Sequence, residues 1–206
     1  MGKIALVTGG SRGIGAATCR LLAENDYDVA INYRDDKAAT EDVADAVCRQ
    51  GGRCVVLRAD VGVEEDVVNM FKTVDRELGT LDALVNNAGI IGPKGRVDAL
   101  SEANIISVLR TNVVGSMICC REAVRRMSTN YGGRGGAIVN VSSGSAYIGN
   151  PGDGVIYAVS KGGLNSLMIG LSQEVAGEGI RVNNISPGLT RTQMVTAEAA
   201  AEATVS

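Results

Sequence analysis

Short runs rich in valine, isoleucine and leucine alternate along this chain with longer segments whose apolar residues recur every three or four positions. The first pattern predicts buried β-strands, and the second predicts amphipathic α-helices. The predicted strands are Lys3–Thr8, Asp28–Tyr33, Arg53–Ala59, Asp82–Val85, Ala137–Val141 and Ile180–Ile185. The predicted helices are Ile14–Glu24, Lys37–Gln50, Glu64–Leu78, Glu102–Met127 and Ile156–Ala176.

This alternation predicts an α/β fold, because strands that are each followed by a helix form βαβ units with a parallel sheet. Strands that are apolar along their whole length need helices on both faces. We therefore expect a doubly wound, Rossmann-type fold of three layers with about six parallel strands. The glycine-rich stretches Gly132–Gly136 and Gly149–Gly154 are predicted to be loops. No linker divides the chain, so residues 1–194 are predicted to form one dinucleotide-binding catalytic domain, followed by a short tail at 195–206 that is loosely helical or disordered.

The composition of the 206 residues excludes several classes of function. A net charge of −3 provides no basic surface for nucleic acid, and no run of lysine and arginine suits a membrane surface. The apolar run Ile4-Ala5-Leu6-Val7 is too short to span a bilayer and lacks the pattern of a cleavage site. We therefore expect a cytoplasmic protein that binds neither nucleic acid nor membranes.

Histidine is absent, and the five cysteines show no Cys-x-x-Cys spacing. A zinc site of the Cys/His type is therefore not expected, and we predict no metal site. The absence of histidine also excludes Ser-His-Asp and Cys-His catalysis. An odd number of cysteines without a secretion signal is typical of reduced, mostly buried thiols.

A glycine-rich turn, Thr8-Gly9-Gly10-Ser11-Arg12-Gly13-Ile14-Gly15, joins the first predicted strand to the first predicted helix. Its glycines allow a tight turn and a close approach of the backbone to a pyrophosphate, and the helix N-terminus supplies free N–H groups. The position of the turn inside a βαβ unit predicts a dinucleotide site, with an ordinary strand-to-helix turn as the alternative. The residues expected to contact the dinucleotide are Gly9, Ser11, Arg12, Gly13, Ile14 and Gly15.

Tyr157 and Lys161 are four residues apart in the last predicted helix, so both side chains project from one face of it. An ammonium group near a phenol lowers the phenol pKa from about 10, and a phenol so tuned can exchange a proton with a substrate oxygen. Ser143, at the end of the fifth predicted strand, can donate a hydrogen bond to the same oxygen as negative charge develops there. The alternative is a packed tyrosine and a solvated lysine.

The order of these motifs along the chain resembles that of the short-chain dehydrogenase/reductase family. The glycine turn has the family's Thr-Gly-x-x-x-Gly-x-Gly spacing, and four further signatures follow in the family's order. They are Asn86-Asn87-Ala88-Gly89, then Asn112, then Ser142-Ser143 with Tyr157-x-x-x-Lys161, then Pro187-Gly188. The chain is most similar to the subgroup of β-ketoacyl carrier-protein reductases and sugar dehydrogenases.

The resemblance implies that the catalytic residues are Asn112, Ser143, Tyr157 and Lys161, with Asn112 supporting a water-linked proton relay to Lys161. Relatives often place the serine about 13 residues before the tyrosine, which here is Gly144. The alignment of the strand end favours Ser143 as the catalytic serine, and Ser142 stays open as a loop-capping hydroxyl. Tyr147 is expected to line the substrate side or to pack.

The resemblance also implies cofactor contacts beyond the glycine turn. Asp60 matches the acid that contacts adenine in the family, and its alternative role is to cap the helix that starts at Glu64. Thr190 and Thr192 are expected near the nicotinamide end. The full set of implied contacts is Tyr33, Arg34, Asp60, Val61, Asn87, Ala88, Gly89, Tyr157, Lys161, Pro187, Gly188, Thr190 and Thr192.

The end of the second predicted strand favours NADP over NAD as the cofactor. Folds of this type that prefer NAD usually place an acidic residue there to bind the ribose 2′-OH, but here the sequence is Asn32-Tyr33-Arg34. Arg12 adds a second guanidinium in the turn, and two guanidiniums suit a 2′-phosphate. The alternative is that Arg34 pairs with Asp35 or Asp36 while Arg12 is solvated.

The predicted activity is reversible hydride transfer between NADP(H) and a ketone or secondary alcohol, such as a 3-oxoacyl thioester or a sugar. Family members usually continue past Pro187-Gly188 with a substrate-covering lid, another helix and a seventh strand, which this sequence lacks. The chain is then a fragment, a sequence whose lid is missing, or a short variant. The alternative function is a relative that binds NADP(H) with little turnover. Matching helices form a dimer interface in the family, so we expect a homodimer or homotetramer.

Overall fold

The computed structural model describes residues 2–190, and one parallel sheet lies at its centre. The strands are β1 (Lys3–Val7), β2 (Tyr27–Tyr33), β3 (Cys54–Arg58), β4 (Ala83–Asn86), β5 (Gly136–Val141) and β6 (Ile180–Ile185). Their order across the sheet is β3-β2-β1-β4-β5-β6, and all five neighbouring pairs are parallel. The predicted doubly wound α/β fold with six parallel strands is confirmed for this part of the chain.

Helices cover both faces of the sheet. They are α1 (Gly13–Glu24), α2 (Lys37–Arg49), α3 (Glu64–Glu77), α4 (Glu102–Leu109), α5 (Ser116–Met127), α6 (Ser145–Ile148) and α7 (Val155–Glu174). Because successive strand residues face opposite sides, Val7 of β1 packs in the cluster that holds α1 and α2, whereas Leu6 packs in the cluster of α3 and α5. Phe71 and Met127 are fully buried in that second cluster.

The main departure from the predicted elements lies in the long helix expected at Glu102–Met127. There α4 and α5 are joined by a π-helical turn at Arg110–Gly115, and this turn contains Asn112. The short helix α6 lies in a segment for which no element was predicted, and Gly136 belongs to β5 rather than to the preceding loop. The tail at 195–206 lies outside the described residues, so the division at residue 194 stays a prediction.

The helical segment 102–127 is long and apolar enough to cross a membrane by length and composition alone. Core helices of globular proteins also pass this test. Cys119, Ala123 and Met127 are fully buried in the core beneath the sheet, and Arg121 and Arg125 lie on the same helix. Packing within the fold therefore accounts for part of the apolar character of the segment.

A row of asparagines crosses the sheet beside the carboxyl ends of β4, β5 and β6. Asn86 donates to Asn140 over 3.0 Å, and Asn140 donates to Asn184 over 2.9 Å. Asn184 in turn donates to the Leu164 carbonyl in α7 over 2.9 Å. These three hydrogen bonds hold α7 in position relative to three strands.

Glu122 on α5 is buried beneath three arginines. Its side chain is 5% exposed and forms ion pairs of 3.0 Å with each of Arg121, Arg125 and Arg126. Arg126 also contacts Asp75 on α3 at 2.9 Å. Burial acts to raise the pKa of Glu122, but the hydrogen bonds from Arg126 and Arg121 hold that pKa below its usual value. The cluster therefore joins α5 to α3 through a carboxylate that must be ionised.

Glu122→Gln is expected to lower the free energy of unfolding by about 2 kcal/mol, less than the ~3–5 kcal/mol of a fully buried pair because two of its arginines can turn to solvent. Since the folded-state pKa is lowered, this stabilisation is complete above the usual glutamate pKa and is lost as the pH falls through the folded-state value. Urea unfolding at pH 7 and at acid pH measures the difference. Glu77→Gln, which removes an exposed pair with Arg76, is the control and should change stability by less than about 0.5 kcal/mol. Equal effects of the two variants at pH 7 would contradict the role of the cluster.

Candidate active site

The predicted site residues lie where the strand order reverses, at the carboxyl ends of the central strands. The chain leaves β1 toward β2 on one side, whereas β4 lies on the other side of β1. Open α/β sheets bind ligands in the crevice at this switch point. The glycine turn follows β1, Asn87 follows β4 and Ser143 follows β5, so all three border this crevice.

The glycine turn is shaped by contacts that exclude side chains. Gly9 and Gly13 have φ values of 62° and 54°, a left-handed conformation that favours glycine. A Cβ on Gly15 would lie 2.3 Å from the Gly9 carbonyl oxygen and 2.6 Å from Asn87 Nδ2. Helix α1 starts at Gly13 with no side-chain cap and no acidic residue in its first turn. Its first N–H groups can therefore bind an anion, which fits the pyrophosphate of a dinucleotide.

Asn87 and Thr8 fasten this turn to the loop after β4. Asn87 Nδ2 donates to the carbonyls of Thr8 and Gly9 over 3.0 and 2.9 Å. Thr8 Oγ1 accepts the backbone N–H groups of Asn87 and Ala88, each over 3.0 Å. The two motifs that sequence analysis singled out thus form one rigid wall of the crevice.

Asn32 is a further positioning residue of the turn, and sequence analysis did not single out its side chain. Its Oδ1 accepts the Gly9 N–H over 3.2 Å, and its backbone carbonyl accepts the Gly10 N–H over 2.8 Å. Its Nδ2 donates to the Leu57 and Ala59 carbonyls of the neighbouring strand. An amide within an otherwise apolar buried strand is the signal that could have identified it.

Asn112 lies in the π-helical turn and is fully buried. Its Oδ1 accepts the Ile90 N–H over 2.8 Å, and its Nδ2 donates to the Ile90 carbonyl and to Ser160 Oγ, each over 2.9 Å. A Cβ on Gly89 would lie 3.2 Å from Asn112 Oδ1 and 3.5 Å from Lys161 Nζ. Asn112 therefore joins the loop after β4 to α7, and Asn112 Oδ1 and Lys161 Nζ both border the space at Gly89.

The two serines after β5 have different surroundings. Ser142 is buried, and its hydroxyl donates to the Lys161 carbonyl over 3.0 Å. Ser143 is partly exposed, accepts the Ser145 N–H over 3.1 Å and hydrogen-bonds the hydroxyl of Tyr157. Of the two, Ser143 is the one that shares the crevice with Tyr157.

Tyr157 and Lys161 lie on the same face of α7, with Lys161 Nζ 5.6 Å from the centre of the Tyr157 ring. Lys161 is 3% exposed and donates from Nζ to the Val141 carbonyl over 2.7 Å. Burial lowers the pKa of Lys161 to about 8. The pKa of Tyr157 is raised by burial, and the hydrogen bond with Ser143 opposes that rise.

The expectation that Lys161 lowers the pKa of Tyr157 is therefore wrong for this structure. The ammonium is bonded to a carbonyl of β5 rather than to the phenol oxygen, and desolvation of the ring outweighs the contact with Ser143. A phenol with a raised pKa keeps its proton at neutral pH. Such a group is suited to donate a proton to a carbonyl oxygen.

Three cysteines within residues 2–190 are poorly suited to nucleophilic chemistry. The thiols of Cys19, Cys119 and Cys120 are buried, which raises the pKa of each and makes them poor nucleophiles. Within residues 2–190 no group of three or more cysteine, aspartate and glutamate side chains is placed to hold a metal ion.

Comparison with known proteins assigns the family. The family model described as short chain dehydrogenase matches residues 3–203. The chain belongs to the short-chain dehydrogenase family. It is 51% identical over 191 residues to an uncharacterized oxidoreductase, YgfF, of Escherichia coli, covering 93% of this chain and 77% of that protein. Carbonyl reductase family member 4 of Danio rerio is 41% identical over 205 residues, which cover 100% of this chain and 82% of that one.

A solved structure shows the same fold. A short chain dehydrogenase from Burkholderia cenocepacia, crystallised in complex with NADP, superposes with a TM-score of 0.90 at 36% sequence identity. The match covers 99% of this chain and 82% of that chain. The Rossmann-type architecture and the assignment to a family of oxidoreductases therefore rest on sequence and structure together.

In this short-chain dehydrogenase, Arg34 forms an ion pair with its neighbour Asp35, with Nε 2.7 Å from the carboxylate. The structure thus shows the pairing that sequence analysis named as the alternative to a 2′-phosphate contact. Arg34 and Asp35 line a cavity of about 580 Å³ together with Arg58, Asp60 and Asp66. Arg58 was not predicted as a site residue, although it is a cation at the end of β3, next to β2.

Asp60 does not cap the helix that follows it. Its carboxylate accepts the Gly62 N–H over 2.8 Å, and the residue before α3 is Val63, which makes no side-chain cap. The Asp60 N–H donates to Asp66 over 2.9 Å. Val61 packs against the π-helical turn, where a Cβ on Gly115 would lie 2.6 Å from the Val61 carbonyl oxygen. The loop after β3 is therefore held against the helix that carries Asn112.

The Pro187-Gly188 segment closes the far side of the crevice. The Gly144 N–H donates to the Pro187 carbonyl over 3.0 Å, which ties this segment to the loop that carries Ser143. Thr190 is exposed and donates to the Gly188 carbonyl over 3.2 Å. Thr192 lies outside the described residues. Tyr147 on α6 is 73% exposed, so it does not pack in the core.

Proposed function

We propose that this protein is an NADPH-dependent carbonyl reductase that interconverts a ketone and a secondary alcohol. The observation that carries the proposal is the arrangement of Ser143, Tyr157 and Lys161 beside the glycine turn. The hydroxyl groups of Ser143 and Tyr157 interact, Lys161 Nζ lies buried over the Tyr157 ring, and α1 begins without a side-chain cap. The similarity of the chain to carbonyl reductase family member 4 of Danio rerio supports the same reaction class.

The residues that border the crevice indicate how the cofactor would bind. The turn residues Gly9 to Gly15 would hold the pyrophosphate at the start of α1, and Asn87 and Lys161 would lie beside the nicotinamide ribose. When bound, reduced nicotinamide supplies the hydride. The NADP complex of the Burkholderia cenocepacia relative supports NADP over NAD, as do the cations Arg12 and Arg34.

Side chains of the protein would hydrogen-bond and protonate the carbonyl oxygen of the substrate. Ser143 donates a hydrogen bond to this oxygen and so stabilises the negative charge that develops on it. Tyr157, which keeps its proton at neutral pH, transfers that proton to the oxygen in the reductive direction. Lys161, with a pKa of about 8, supplies a nearby exchangeable proton. Asn112 holds α7 in place through its hydrogen bond to Ser160, which lies between Tyr157 and Lys161.

A turnover screen on intact protein tests this proposal. NADPH and NADH are each offered with a panel of simple ketones, 3-oxoacyl thioesters and sugars, and loss of the reduced-nicotinamide absorbance is followed. We expect turnover of at least one ketone with NADPH at a higher kcat/KM than with NADH. Tight NADPH binding without turnover on any carbonyl would instead support a cofactor-binding relative with little activity.

We also propose that the protein is a cytoplasmic homo-oligomer. The outer faces of the helices around Asn112 and of α7 expose several large apolar side chains, which favours burial against a second copy. They are Ile106, Val114, Met117, Val159 and Ile169. Light scattering at micromolar concentration should give the mass of a dimer or tetramer, and a monomer mass would contradict this.

A further inference from the structure

The cavity between the carboxyl ends of β2 and β3 has a second guanidinium that the proposed function does not use. Residues Tyr33 and Arg58 are direct partners in the register of these strands, so Arg58 lies beside Arg34. Arg58 Nε donates to the Arg34 carbonyl over 3.3 Å, which fixes the two arginines side by side. Both side chains are exposed and line the same cavity.

The two arginines differ in their partners. Arg34 forms an ion pair with Asp35, with Nε 2.7 Å from the carboxylate oxygen, so its positive charge is largely neutralised before a ligand binds. Arg58 has no carboxylate within 4.0 Å among residues 2–190, and in this range its terminal guanidinium nitrogens make no hydrogen bond. The Asp60 and Asp66 carboxylates each accept a backbone N–H of the loop after β3. Arg58 is therefore the cation whose hydrogen-bonding groups face this cavity without a partner in the described chain.

We propose that Arg58 is a specificity-determining residue that binds the ribose 2′-phosphate of NADP(H) together with Arg34. This inference rests on the proposed use of NADP. A guanidinium held in place through Nε can still offer its other N–H groups to a phosphate in a forked, charge-assisted contact. Three carboxylates and two guanidiniums line the cavity, so loss of either cation weakens the binding of a doubly charged phosphate there.

Asp35 has the opposite role in this arrangement. It competes with the 2′-phosphate for Arg34 and repels that phosphate directly. Removing the Asp35 charge should therefore favour a 2′-phosphate, whereas removing the Arg58 charge should disfavour it. A non-specific disturbance of the cavity would change the affinity for the 2′-phosphate in the same direction in both variants.

Calorimetric titration with two probes tests the proposal without catalysis. The probes are adenosine 2′,5′-bisphosphate and 5′-AMP, which differ only in the 2′-phosphate. We expect Arg58→Gln to weaken binding of the bisphosphate at least about tenfold and to change 5′-AMP binding by less than about twofold, since one charge-assisted contact is lost. Arg58→Lys should retain part of the preference, and Asp35→Asn should strengthen bisphosphate binding. Arg76→Gln, on the exposed surface of α3, is the matched control.

Two results would overturn the assignment of Arg58. If Arg58→Gln weakened binding of both probes equally, Arg58 would contact the adenine or the ribose and not the 2′-phosphate. If it left binding of both probes unchanged, Arg58 would have no role in binding. A wild-type protein that binds the two probes equally would contradict the proposed NADP preference itself. The wild type alone tests the NADP preference, whereas the variants test the role of Arg58. A failure of the proposed function can therefore be distinguished from a failure of the Arg58 assignment. Thermal melting of each variant checks that it is folded.

Discussion

Replacing Tyr157 with phenylalanine is expected to lower kcat for ketone reduction about 1000-fold, because loss of a positioned general acid typically costs ~100- to 10000-fold. The ring still fills its half-buried place on α7, so NADPH affinity and the melting temperature should stay close to wild type. Only the hydroxyl that contacts Ser143 is lost. Steady-state kinetics with the best ketone from the screen measures kcat, and nicotinamide fluorescence measures cofactor binding.

The pH dependence of the wild type tests the role of the neighbouring Lys161. In the reductive direction Tyr157 must carry its proton, and burial raises its pKa, so this requirement is met throughout neutral pH. Lys161, whose pKa is lowered to about 8 by burial, loses its charge first as the pH rises. Reduction should therefore fall above about pH 8. Wild-type turnover in Tyr157→Phe would rule out Tyr157 as the proton donor.

Replacing Gly15 with alanine should weaken NADPH binding at least about tenfold. The added Cβ would lie 2.3 Å from the Gly9 carbonyl oxygen and 3.1 Å from Gly10 Cα, and backbone atoms must shift to relieve this contact. Overpacking of this kind also lowers stability by about 1–3 kcal/mol. Fluorescence titration with NADPH and urea unfolding measure the two effects.

The matched control for this variant is Gly177→Ala. Gly177 lies in a short 3-10 helix, and an added Cβ there would meet no atom within 4 Å. This control should bind NADPH as the wild type does. If Gly15→Ala also bound NADPH with wild-type affinity, the glycine turn would not be the place where the pyrophosphate lies.

The fold was predictable because its signals are local and regular. Each buried strand is a continuous apolar run and each helix has its own apolar period, so the alternation leads directly to parallel βαβ units. The glycine turn was predictable for a similar reason, since backbone conformations that only glycine adopts easily leave a visible mark in the sequence. The helix bounds at Lys37–Arg49 and Glu64–Glu77 differ from the predicted ones by one residue.

The parts that could not be predicted depend on contacts between distant segments. The π-helical turn around Asn112 adds no break to the apolar period, so the sequence shows one uninterrupted helix there. The raised pKa of Tyr157 depends on how deeply the folded chain buries its side chain, which the sequence does not show. Arg58 became a candidate only when the register placed it beside Arg34.

Transfer of a labelled hydride shows whether the protein reduces a carbonyl group with bound NADPH. The protein is mixed in excess with NADPH that carries deuterium at the transferred position of the nicotinamide, together with a ketone that is turned over. Mass spectrometry then measures the alcohol formed in a single turnover. We expect one deuterium on the carbinol carbon for the wild type and almost none for Tyr157→Phe in the same time. Alcohol that forms without deuterium on the carbinol carbon would contradict hydride transfer at this site.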